Sequence, residues 1–174
     1  MKKLLYTLLA VSFIFTACKK EEGCTDPIAS NYNADAEEND NSCTYSIIGV
    51  WTPNSMNVSS NYTVSVAGAT IESFDTAYTI TSQDTSWEVE GNIEFTNDGS
   101  LITTNDDGDI ETDNYTTSGS SLTITNSEDG STDNATYTVT KTNLAFTISE
   151  TETETEMGMT YTSSYEMTFN CTRQ

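Results

Sequence analysis

The sequence predicts an all-β protein whose main domain is an antiparallel, up-and-down meander of about eight strands, enough to close into a barrel. Three observations carry this. From Ser46 to Gln174 apolar residues recur with period two, opposite faces being mostly Thr, Ser, Asn and Glu, as in a sheet with one wet side. Turn residues separate these runs at even spacing: Asn97-Asp98-Gly99, Asp107-Gly108, Ser118-Gly119, Asp129-Gly130, Lys141-Thr142-Asn143 and Gly158. No long helical pattern follows the apolar segment at the N-terminus. A one-sided sheet of this length must curl to bury its apolar face and hide its edges, and about eight strands leave room for side chains or one small ligand.

The chain reads as three parts: residues 1–17, 18–45 and 46–174. In the first, "MKKLLYTLLAVSFIFTA", Lys2 and Lys3 precede the apolar run Leu4 to Phe15 and the small-residue exit Thr16-Ala17. That is the layout of an export signal peptide, too short for a lasting membrane span. Cys18 follows directly. "FTAC" resembles a bacterial lipobox, with Phe15 where Leu is usual, and the resemblance implies acylation of Cys18 and a lipid anchor in the membrane. The next residues, "KKEE", resemble the surface-export signal of Bacteroidota lipoproteins. They imply an outer-membrane lipoprotein facing the cell exterior.

Charge is compatible with that life. The chain has 6 Lys and Arg against 27 Asp and Glu, a formal charge of −21. Losing Lys2 and Lys3 with the signal peptide makes it −23. Beyond Lys20 the cations are Lys141 and Arg173 alone. Such a surface repels nucleic acid and anionic lipid and keeps the chain soluble. A hydrophobic content of 35% would suggest disorder, but the period-two pattern overrides it.

The second part is "GCTDPIASNYNADAEENDNSC", Gly23 to Cys43. With Cys18 acylated, three cysteines remain, and in an oxidising compartment Cys24 and Cys43 are the natural disulfide pair. A loop of this length gains about 3 kcal/mol from closure in the chain-entropy model, which a segment too small for an apolar core needs. The stretch resembles a cysteine-bounded repeat of secreted Bacteroidota proteins, "GCTDPxAxNYNPxAxxDDGSC". Ala34 stands where Pro is usual and Asn39-Asp40-Asn41 replaces Asp-Asp-Gly, Asn being able to take a left-handed turn. Two readings stand side by side: a stapled spacer, and a calcium loop using Asp26, Asp35, Glu37 and Asp40. The EF-hand pattern fails, since counting from Asp35 puts Asp40 at the glycine position and Ser46 at the closing glutamate. No other cofactor is implied.

In the third part, "NIEFT" places Ile93 and Phe95 on one face, "SLTIT" Leu122 and Ile124, "ATYTVT" Ala135, Tyr137 and Val139, and "NLAFTIS" Leu144, Phe146 and Ile148. "MTYTSSYEMTFNC" keeps Met159, Tyr161, Tyr165, Met167, Phe169 and Cys171 in phase. Preceded by "IIGVWTPNSM" and taken in order, these segments resemble the lipocalin-like domain of many Bacteroidota lipoproteins, over nearly all of Ile47 to Arg173. In lipocalins the G-x-W lies on the first strand, its Trp plugs the barrel floor, and an Arg near the last strand packs across it. The resemblance implies those roles for Gly49, Trp51 and Arg173. Asn57 to Gly91 is longer and less regular than the pattern.

Catalysis is poorly supplied. The chain has no His, which removes Ser-His-Asp, Cys-His and His-ligated zinc arrangements. Close carboxylate pairs are inevitable among so many acids and carry no information without geometry. The expectation is therefore a non-enzyme. Its barrel would bind a small, mainly apolar molecule, with Phe95, Ile124, Tyr137, Leu144, Phe146, Ile148, Tyr165, Met167 and Phe169 as candidate lining. The alternative is a filled barrel serving as an interaction module for a surface protein or glycan. One strand adds a detail: Leu144, Phe146 and Ile148 continue in phase as Glu150, Glu152 and Glu154. Either the strand leaves the barrel there and the acids stand in solvent, or they line an acidic mouth. Cys171, in phase with Phe169, reads as a buried small hydrophobe.

Overall fold

A computed structural model describes residues 20–85, 87, 91–105 and 107–174. The expected signal peptide and the acylated Cys18 lie outside the described residues. Among those described there are eleven strands and no helix: β1 (Glu22–Gly23), β2 (Glu38–Asn39), β3 (Gly49–Val66), β4 (Ala69–Thr81), β5 (Asn92–Phe95), β6 (Ser100–Thr104), β7 (Ile110–Ser118), β8 (Ser121–Thr125), β9 (Thr132–Val139), β10 (Asn143–Glu156) and β11 (Met159–Arg173). The chain divides into two compact units, the first ending at Tyr45 and the second beginning at Ser46.

The first unit is held by the Cys24–Cys43 disulfide, whose Cα atoms are 4.8 Å apart, and by the short parallel pairing of β1 with β2. Asn31 ties its ends: the side-chain amide donates to the Ser42 carbonyl at 2.7 Å and its oxygen accepts from the Thr44 N–H at 2.8 Å. Asn41 takes φ 63°, the left-handed conformation that Asn tolerates better than other non-Gly residues.

The second unit is an eight-stranded antiparallel barrel with one extra strand. Strands β5 to β11 pair with their sequence neighbours, β5 pairs with the start of β3, and β11 pairs back onto β3 to close the ring. The extra strand is β4, which pairs only with Ser55 to Val66 of β3. This resolves the irregular stretch Asn57 to Gly91. From Asn57 to Thr81 it is the outer length of β3, a two-residue turn at Ala67-Gly68 and a strand running back outside the ring. Ala67 (φ 48°) and Gly68 (φ 81°) both have positive φ, as do Met157 and Gly158 between β10 and β11. That is the backbone sense which matches the twist of a two-residue hairpin.

Strand length decides where the barrel ends. β10 pairs with β9 only from Leu144 to Ile148, yet with β11 along its whole length. Beyond Ile148, β10, β11, β3 and β4 continue as a four-stranded sheet outside the ring, roughly 25 Å long at the rise of an antiparallel strand. Bulges break the register at Asn170/Cys171 against β3 and at Val64/Ser65 against β4. Pro53, which has no N–H to donate, sits at the first of these.

The core lies inside the ring. Ile47, Trp51, Phe95, Leu101, Leu122, Ala135, Leu144, Phe146 and Cys171 form one buried cluster, with Ile93, Tyr115, Ile124, Tyr137, Val139, Ile148 and Phe169 packed on it. Burying side chains such as Leu122, Leu144 and Phe95 contributes roughly 1.5–3 kcal/mol each.

Candidate functional site

The two ends of the barrel interior differ. At one end Trp51 is fully buried and its Nε1–H donates to the Ile47 carbonyl at 2.7 Å. The Arg173 guanidinium lies over its ring, Cζ 4.1 Å from the centroid, a favourable cation–π arrangement. Arg173 also donates to the carbonyls of Lys141 at 3.0 Å, Ile48 at 2.9 Å and Ser46 at 2.8 Å. Burial pulls its pKa below the usual arginine value, but three carbonyl acceptors and an aromatic face all favour the cation. Gly49 is required here on two counts: its φ is +136°, and a Cβ would stand 2.7 Å from Arg173 Nη1. The contacts of Gly49, Trp51 and Arg173 thus seal the floor.

The other end holds a cavity of about 530 Å³. Ile93, Phe95, Leu101, Ile124, Phe146, Ile148 and Phe169 make its apolar wall, and Asn92, Thr103, Thr104, Asn105, Asp109 and Glu111 its polar rim. Aromatic contacts hold the wall: Phe146 stacks on Phe169 at 4.8 Å, and Phe95 meets Tyr115 edge-on at 4.9 Å. Tyr115 is fixed in turn by donating to the Thr96 carbonyl at 2.7 Å. Burial, then the negative charge of Asp98, raises the pKa of its phenol.

Five of the nine residues expected to line a pocket do so: Phe95, Ile124, Phe146, Ile148 and Phe169. Four sit elsewhere. Leu144 is buried in the core cluster, two positions further from the rim than Phe146. Tyr137 packs against that cluster as filling. Met167 lies on β11 opposite Ile148, in the last row of the ring, but does not line the cavity, and Tyr165 lies past the point where the ring stops, 38% exposed. Period two gives the face of a residue but not its depth along the barrel, so residues of one face are divided between floor, cavity and the outer sheet. The rim residues Thr103, Asn105, Asp109 and Glu111 were not expected; Glu111 is in register with Thr103 and through it with Ile93, a relation visible only once the strands are paired.

Of the two readings for Glu150, Glu152 and Glu154, the structure has the strand leaving the barrel, and all three are exposed. They still face the same side as Tyr165 and Tyr161, their cross-strand partners or neighbours on β11. A hydrogen bond to Glu150 is the main cause that raises the Tyr165 phenol pKa, and the charges of Glu150, Asp133 and Glu152 add to it. A broader depression of about 670 Å³ in this sheet is lined by Ser59, Asn61, Asp75, Glu150, Tyr165 and Glu166 among others. It has no apolar floor, unlike the barrel cavity.

The four acids weighed for calcium are not brought together; among the described residues no three His, Cys, Asp or Glu side chains are grouped as a metal ion would need. Asp26 accepts from the Ile28 N–H at 3.2 Å and the Tyr45 hydroxyl at 2.9 Å, and Asp40 accepts from the Ser42 N–H at 2.9 Å. These carboxylates shape turns. Cys171 is free and buried, its thiol pushed up to about 12 by desolvation; it is protonated and unreactive at neutral pH.

The class these features define is a closed antiparallel β-barrel, sealed at one end and hollow at the other. Compared with known proteins, the chain matches no family model, no curated protein and no solved structure.

Proposed function

We propose that this is a lipid-anchored outer-membrane lipoprotein displayed on the cell surface, whose barrel binds a small, mainly apolar molecule without catalysis. The observation that carries the binding reading is the cavity at the hollow end. Its volume of about 530 Å³ falls within the range of small-molecule pockets, and an apolar wall with a few polar groups at the rim is the usual make-up of such sites. The non-catalytic reading draws on the sequence: the chain has no His, so Ser-His-Asp and Cys-His arrangements are not available to it. Anchoring and display rest on "FTACKKEE" at residues 15–22 and on the acidic surface, which suits an exposed, soluble life.

Native mass spectrometry of the full chain carrying Cys18→Ser, so that no acyl group is added, tests the binding reading. The expected result is an adduct of a few hundred daltons that is lost on unfolding. A bare polypeptide mass that stays bare after incubation with a fatty alcohol or a sterol would sink it. The second reading, an interaction module, draws on the projecting sheet, where Tyr62, Phe74 and Tyr78 are 39%, 65% and 51% exposed. Aromatic groups held open on a rigid sheet are the usual anchors of protein and glycan contacts.

A further inference from the structure

Charge is sorted along the barrel axis. The two cations of the second unit belong to the sealed end: Arg173 lies over Trp51 and donates to the backbone of Lys141. Acids gather at the hollow end. Asp109 and Glu111 line the cavity itself. Asp133 is in register with the wall residue Ile124. The inward phase is thus anionic as it reaches solvent on β7 and β9, at Glu111 and Asp133.

Resting on the binding reading above, we propose that the cavity takes a molecule with an apolar body and a positively charged head, such as an alkyl ammonium or guanidinium amphiphile. The cavity is the site, and the rim decides the charge of what enters. The apolar wall would hold the body by burial. Asp109 and Glu111 at the rim, with Asp133 in register with the wall residue Ile124, create a negative potential that favours an ammonium and disfavours a carboxylate such as a fatty acid's headgroup. A low-dielectric wall beside the rim makes each charge count for more than it would on an open surface. A fatty acid, the obvious occupant of an apolar barrel, is therefore disfavoured here.

The test uses three probes of one chain length, decyltrimethylammonium, 1-decanol and decanoate, titrated calorimetrically below their micelle concentrations into the Cys18→Ser chain. The cation should bind about tenfold more tightly than the alcohol, as expected for one charge near a small acidic group, and decanoate should bind most weakly. Raising salt, or the pair Asp109→Asn and Glu111→Gln, should bring the three together. Thr103→Trp, which fills the mouth without changing charge, should abolish all three. Equal binding of cation, alcohol and carboxylate would overturn the charge preference and leave the apolar site standing. Binding of none of them, the alcohol included, would remove the site and the preference with it. A cation that still binds Thr103→Trp would show adsorption to the acidic surface, and would overturn the proposal too.

Discussion

Strands β3, β10 and β11 each pass through two environments, and the contrast shows what a strand pattern can and cannot secure. Within the ring, β10 presents Leu144, Phe146 and Ile148 inward, and the first two are buried. Beyond it the same face of the same strand presents Glu150, Glu152 and Glu154 to solvent, though the ladder to β11 continues without a break to Glu156 and Met159. Hydrogen bonding is alike in both halves and burial is not. Thr–Thr pairs make the comparison direct. In the barrel, Thr147 and Thr168 hydroxyls are 2.8 Å apart and part-buried; in the outer sheet, Thr153 and Thr162 are 3.4 Å apart and exposed. The ladder sets the direction of the chain, and the core supplies the stability.

The largest expected effect tests the sealed end. Trp51→Ala removes a fully buried side chain and the platform under Arg173. It should cost about 3–5 kcal/mol, enough to shift the urea transition far down or abolish it by circular dichroism. A loss under about 1 kcal/mol would mean that the barrel does not depend on this end. The next is Gly49→Ala, which forces a side chain into φ +136° and towards Arg173 Nη1; about 1–3 kcal/mol is expected from strain of this kind. Repeating it in an Arg173→Ala background should lower its cost, because the contact is gone and the backbone penalty remains, so the two changes are not additive. Additive costs would show that the close approach does not matter. The smallest effect sharpens the contrast between halves. Thr153→Ala should change the unfolding free energy by less than about 0.5 kcal/mol, and Thr147→Ala, the same change on the part of β10 that lies within the ring, should cost more. Equal costs would indicate that the outer sheet is as cooperative as the barrel.

Much of this was legible in the residues. Each of the six turn signals falls at a junction of two strands, Ser118 closing β7 and Asn143 opening β10, and Cys24 pairs with Cys43. Asn41 adopts the left-handed turn that its residue type tolerates. The Ala67-Gly68 turn was not read, because Ala carries no preference for positive φ, and it is the turn that sends β4 outside the ring. The pocket residues were read half correctly for a related reason: phase places Leu144, Phe146 and Tyr165 on inward-facing rows, while depth divides them between the core, the cavity wall and the open sheet.

By itself the sequence determined the strands from Asn92 onward, their inward faces, the turns between them, the acidic balance and the residue types at the floor. These follow from steric preferences and period-two alternation, which act over a few residues. Only the tertiary structure decided that β4 stays out, that β9 stops pairing with β10 at Ile148, and that Asp109 and Glu111 meet Phe146 and Phe169 around one cavity. Those outcomes depend on which strand lies beside which, a choice made by covering apolar surface across the whole ring, which no local stretch encodes.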